Sequence, residues 1–190
     1  MTSITTSTNH EYRVALHRSS TKLQVNSSAI NQPPNTGLAE YVGAFGATKF
    51  QMPKNALKAL NQFVLSVSPK AQQNSINLGN GISGNMFLFN NEATVEWNEG
   101  NWKCQVSGSN KSYVINESQK IVSYLHIHLL PKTMGTLGVM QTNGGNHTEL
   151  HWAIGNVLFA ASNYHQAMNA IKMVISMRMY PSGKSTGVQY

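Results

Sequence analysis

Three ionisable side chains stand at alternate positions in His147-Thr148-Glu149-Leu150-His151. On a strand they project from one face, roughly 6–7 Å from one to the next. Neighbours at that spacing could share a metal ion or pass a proton, and Glu149 with His151 is the pair an enzyme would use. A zinc site takes three or four ligands with supporting partners, and no cysteine or aspartate stands nearby in the sequence to complete one. The simpler reading is a solvated polar sheet face, with no metal and no cofactor. His126 and His128 are two apart near the end of an expected helix, so they point to different sides and do not chelate one ion. Cys104 alternates with Trp102 and Val106 on an expected buried face, which makes it a structural thiol. Trp97, Trp102 and Trp152 could form a platform for a sugar or another flat ligand, although tryptophans on alternating strands ordinarily pack in a core.

The chain contains no aspartate: all seven acidic residues are glutamates, against 21 asparagines. Aspartate is the usual orienter of a catalytic histidine and a major ligand for magnesium and calcium. Its absence favours binding over catalysis. Phosphate-cradling and nucleophile-elbow motifs are missing, since Gly79-Asn80-Gly81 and Gly144-Gly145 lack the Lys-Ser/Thr of a P-loop. So are a zinc finger, a basic heptad region and an aromatic-basic RNA-binding strand, and no specific nucleic-acid partner is expected.

The formal charge of the 190 residues is +7, and protonation of all seven histidines would raise it to +14. Such a charge attracts polyanions, among them wall polymers, anionic lipid head groups and nucleic acid. The basic residues are spread along the chain with no run of five. A single cysteine forms no intrachain disulfide, which fits a cytosolic protein or a Gram-positive exported one. No apolar run is long enough for a transmembrane helix. The polar Thr/Ser-rich start has no signal core and reads as a mature segment whose export signal has been removed.

The elements that must position these residues follow from periodicity. Residues 1–36 are rich in Ser, Thr, Asn and Pro and read as a polar stalk or linker, with 12–16 alternating well enough to add an edge strand. A single domain is expected over 37–180, then a polar tail over 181–190. The spacing predicts a short helix over 38–43, broken by Gly43 and Gly46. A stronger helix over 53–66 starts at Pro53, buries Ala56, Leu57, Leu60, Phe63 and Val64, and ends at Pro69. Residues 77–84 read as a connector and 86–89 as a short strand. The clearest hairpin joins 93–97 to 102–106, with Val95, Trp97, Trp102, Cys104 and Val106 facing in and Glu96, Lys103 and Gln105 facing out.

A second helix is expected from Asn116 or Ser118, burying Ile121, Val122, Leu125 and Leu129, with Pro131 as its stop. Strands at 137–141, 149–154 and 157–160 follow, the last two joined by Gly155-Asn156 with positive φ at the glycine. A last helix opens at Asn163 with Gln166 in a capping-box pattern and runs to about Met179. It carries Met168, Met173, Met177 and Met179 and is apolar nearly all round, so it is either buried or an adaptable docking surface. The sum is an α+β domain: a mostly antiparallel sheet of five to six strands with two to three helices packed on one side.

Leu38-Ala-Glu-Tyr-Val-Gly-Ala-Phe-Gly, the helix after it, and Val95-Glu-Trp-Asn-Glu-Gly-Asn-Trp with Trp97, Gly100 and Trp102 resemble uncharacterised secreted proteins and lipoproteins of Gram-positive bacteria. In those a polar stalk leads to a small α+β domain with a Trp-x-x-Gly-x-Trp-like hairpin. The likeness covers about residues 36–180. It implies a place outside the cell, at the wall or membrane surface, and little else, the family having no established activity.

The expectation is therefore an exported, non-catalytic binding domain attracted to anionic cell-wall polymers or a surface glycan. Trp97, Trp102, Trp152, Glu149 and His151 are its candidate ligand-binding residues. The rivals are a wall-associated hydrolase or metal-dependent enzyme using Glu149 and His151, and a structural subunit docking a protein partner through its last helix.

Overall fold

The computed structural model describes residues 1–31, 39–63, 67–68 and 71–177. In chain order the elements are β1 (Thr2–Ser7), β2 (Glu11–Arg18), β3 (Glu40–Lys49), α1 (Pro53–Leu60), β4 (Gln72–Gly79), β5 (Ile82–Phe89), β6 (Glu92–Glu99), β7 (Trp102–Gly108), α2 (Lys111–Leu125), β8 (Gly135–Thr142), β9 (Gly145–Ile154), β10 (Val157–Tyr164) and α3 (Ala167–Ser176). Short 3-10 turns lie at Ser28–Asn31 and Asn61–Phe63. The strands form one mixed sheet in the order β1-β2-β3-β10-β9-β8-β7-β6-β5-β4. Neighbours run antiparallel except β7 and β8, which are parallel and joined by the crossover helix α2.

The fold class is α+β as expected, but the sheet has ten strands in place of five to six. The extra strands come from segments whose composition hides them. β4 holds only Ile76 and Leu78 as large apolar residues, because an edge strand with one covered face needs no more. It takes residues that read as a connector over 77–84. β3 replaces the helix expected over 38–43. Its glycines are there because neighbouring strands come close: a Cβ on Gly46 would lie 2.6 Å from the Tyr12 carbonyl oxygen. β1 and β2 lie inside the polar span 1–36, and β2 contains the alternating piece at 12–16. The hairpin of β6 and β7 stands as expected, turning at Gly100 with φ 58°. So does that of β9 and β10, with Gly155 at φ 57°.

The helices differ at their ends. α2 begins at Lys111, not at Asn116 or Ser118, because Asn110 caps it: its side-chain oxygen accepts from the Tyr113 N–H at 3.0 Å. That earlier start puts Val114 on the stripe with Ile121, Val122 and Leu125. The helix stops at Leu125, so Leu129 is exposed where a buried residue was expected. α3 begins at Ala167; Asn163 belongs to β10 and Gln166 makes no side-chain cap. α1 is shorter than the expected helix over 53–66, and Leu57 and Phe63 are exposed. Val64, Pro69, Met179 and the expected tail over 181–190 lie outside the described residues.

The helices are not all on one side. Strand residues alternate between faces, and α2 and α3 cover the face carrying Val95, Trp97, Val106, Leu137, Leu150 and Trp152. α1 lies on the other face, where Ala56 and Leu60 pack on Ala153 and Leu158. The main core is therefore sandwiched between the sheet and α2/α3, and α1 covers a small part of the reverse face.

Candidate functional site: the reverse face of the sheet

β9 aims His147, Glu149 and His151 at the reverse face, as the alternation requires. The structure pairs the first two, with His147 Nε2 3.1 Å from Glu149 Oε1. His147 also stacks on the Tyr164 ring at a centroid distance of 4.4 Å. His151 takes another partner. Its ring lies flat against Phe63, with centroids 3.7 Å apart and planes 13° apart. Burial pushes the His151 imidazole below its ordinary value, opposed by the negative charge of Glu149. The three side chains thus form a pair and a stacked, buried ring. Among the described residues no group of three His, Cys, Asp or Glu side chains is placed to hold a metal.

Phe63 reaches His151 because of α1. Pro53 opens that helix, its Ala56 and Leu60 dock beside β9 and β10, and the following 3-10 turn carries Phe63 across the sheet. A cleft opens on each side of Phe63. The first, of about 270 Å³, has a floor of small residues, Ala44, Gly46, Ala160 and Ser162, and a rim that includes Glu11, Arg13, Glu149 and His151. The second, of about 320 Å³, lies over β6, β7 and β8 and is lined by Asn85, Glu96, Lys103, Gln105 and Thr136.

The second cleft has an internal anchor. The Gln105 amide donates from Nε2 to Glu96 Oε1 at 2.9 Å, tying the two side chains together. Burial raises the Glu96 carboxyl above its ordinary value, while the Gln105 hydrogen bond and the charge of Lys103 pull it back. Gln105 and Thr136 are buried polar residues at the cleft wall. Groups of this kind are hydrogen-bond donors and acceptors held in place, which suits a ligand rich in hydroxyl or amide groups.

The tryptophans stand elsewhere. Trp97, Trp102 and Trp152 are 4%, 2% and 3% exposed, on the helix-covered face opposite Glu149 and His151. The Trp102 and Trp152 rings are 6.2 Å apart, Trp152 stacks on Phe159 at 5.3 Å, and the Trp102 indole N–H donates to the Pro131 carbonyl. They are packing groups and do not meet Glu149 or His151. Cys104 is buried among them, and burial, with Glu99 adding, pushes its thiol far up, so it stays protonated and unreactive. His126 and His128 follow the end of α2, exposed, with the His128 ring 4.3 Å from Tyr124.

Sequence reasoning placed Glu149 and His151 on one face of a strand, where the structure has them, and Glu96, Lys103 and Gln105 on the outward face of their hairpin. It missed Phe63, read as part of a core stripe, and Arg13. The signal for Phe63 was the break in helix after Leu60, which no local residue marks.

Nothing known matches. Comparison with protein-family models, with curated proteins and with solved structures gave no similar sequence or fold.

Proposed function

We propose that the chain is an exported, non-catalytic binding domain whose reverse sheet face holds a polar polymer, an anionic cell-wall polymer or a surface glycan. The observation that carries this reading is the pair of clefts flanking Phe63, each with polar side chains in its wall, among them buried Gln105, Thr136 and His151. Three features support a binding role over a hydrolase. Glu149 is occupied by His147, His151 is stacked and held toward its neutral form, and the two do not form a hydrogen-bonded acid–base pair. The clefts lie side by side on neighbouring strands, spaced about 4.8 Å apart, so a long ligand crosses both where a small one fills one. The net charge of +7 draws a polyanion in, and Arg13 and Lys103 place one cation at each cleft, beside Glu11 and Glu149 in the first and Glu96 in the second.

The test is co-sedimentation of the full chain with Gram-positive cell walls from low to high salt. Binding should weaken steeply with salt, and Arg13→Glu with Lys103→Glu should lower it by about ten-fold. Absence of wall binding, or binding indifferent to both substitutions, overturns the reading.

A further inference from the structure

One end of the sheet is chemically unlike the rest of the surface. It is the end where β7 and β8 begin and β9 finishes, with Gly135 opposite both Trp102 and Trp152. There the loop from α2 to β8 leaves Ile127 75%, Leu129 72% and Met134 51% exposed. These are large apolar side chains in a loop of nine residues, His126 to Met134, with no acidic residue among them. The loop is fastened to the sheet: the Thr133 hydroxyl donates to the Ala153 carbonyl, and the Met134 carbonyl accepts from the Ala153 N–H at 3.3 Å. Ala153 is also where α1 docks, so the start of α1, with exposed Met52 and Leu57, belongs to the same end.

Lys132 lies in the loop itself, and Lys54 and Lys58 lie on α1. Lys54, Lys58 and Lys132 are exposed, and none is in an ion pair among the described residues. His126 and His128 flank Ile127 and are exposed too. The carboxylates at this end are Glu11, on β2 several strands away, and Glu99. Glu99 is half-buried beside the loop, and burial raises its carboxyl while Trp97 and His126 oppose the shift. Behind the tips a groove of about 390 Å³ is walled by Trp102, Leu125, Leu130 and Pro131.

Apolar side chains this exposed and this close together mark an interaction surface. The lysines on the loop and on α1, in no ion pair among the described residues, favour a partner with a negative surface field, which an anionic bilayer supplies. We propose that this end is a membrane-docking surface: Ile127, Leu129 and Met134 enter the boundary between head groups and acyl chains, and Lys54, Lys58 and Lys132 contact anionic lipid head groups. The lysine stems reach past the apolar tips and keep their ammonium groups at head-group level. The insertion is shallow and reversible, because no helix among the described residues is long and apolar enough to cross a membrane. The surface is separate from the clefts beside Phe63 and does not depend on what they hold.

The experiment is co-sedimentation of the full chain with phosphatidylcholine vesicles and with mixed phosphatidylcholine/phosphatidylglycerol vesicles. The chain should partition onto the mixed vesicles and about ten-fold less onto phosphatidylcholine alone. Ile127→Ser with Leu129→Ser should reduce partitioning by about ten-fold or more, with far-UV circular dichroism and thermal midpoint unchanged because both side chains are exposed. Lys58→Gln and Lys132→Gln should each reduce it by roughly five-fold, while Arg13→Glu with Lys103→Glu should leave most of it in place. No partitioning onto mixed vesicles, or equal partitioning of the double serine variant, overturns the proposal. So does a stable dimer that the serine variant dissolves and vesicles do not bind, which would make the patch a contact between two copies.

Discussion

Phe63 does two things to His151: it shields one face of the imidazole from water and holds the ring flat. Shielding disfavours the charged form, so the folded pKa lies below the ordinary value of 6.5. The unfolded chain therefore takes up the proton first as pH falls, and the folded state loses stability from pH 6.5 down to the lowered value. Urea denaturation at pH 7.5 and pH 5 should show that loss in the wild type. His151→Phe keeps a flat ring on Phe63 and removes the titration, so its stability should change less over the same interval. An equal acid loss in both would place the effect at other groups. Glu96 acts with the opposite sign. Its raised pKa means that the folded state binds the proton more tightly, and stability declines as pH rises from 4.5 through the raised value. Both groups line the clefts, so an anionic ligand there would favour the charged form of His151 and disfavour that of Glu96.

At the scale of elements, the joint between β7 and β8 is closely packed. Gly135 opens β8 directly over the Trp102 ring, and a Cβ there would lie 2.6 Å from three of its atoms. Gly135→Ala should cost about 1–3 kcal/mol of stability by forcing the ring or the strand aside, read as a lower urea midpoint with an unchanged slope. A cost near zero would mean that the ring has room to move. The same joint explains what was legible in the sequence. Val95, Trp97, Trp102, Cys104 and Val106 alternate with polar partners, so β6 and β7 declare themselves from one face each. β4 does not, because at the edge most of its residues are exposed and only Ile76 and Leu78 are large and apolar. β3 was disguised by Gly43 and Gly46, which serve strand contacts and remove the side chains that would have shown a period of two. Glu149 and His151 were legible because their own strand spaces them. The neighbours that decide their roles, Phe63 and Arg13, come from about 90 and 140 residues earlier in the chain, and no local pattern encodes that meeting.

The described residues present three chemically different surfaces. The helix-covered face holds the core, the reverse face carries the clefts beside Phe63, and one end carries the exposed apolar side chains of the loop after α2 with Lys132 beside them. Wall binding and vesicle binding should therefore be separable by substitution. A polymer lying across the clefts and a bilayer at the end would meet the domain on perpendicular surfaces, and each can engage without blocking the other. The strand order adds a consequence for synthesis. β3 is zipped to β10, and the Asn163 side chain that donates to the Val42 carbonyl lies 121 residues downstream of it. On the ribosome, the ribbon of β1, β2 and β3 emerges well before its docking strand β10. Ribosome-bound chains ending after Thr142 should thus lose the ribbon to protease, and chains extended well past Tyr164 should keep it. Until then the first strands are guests without a host, and how fast translation delivers β10 governs how long they must wait.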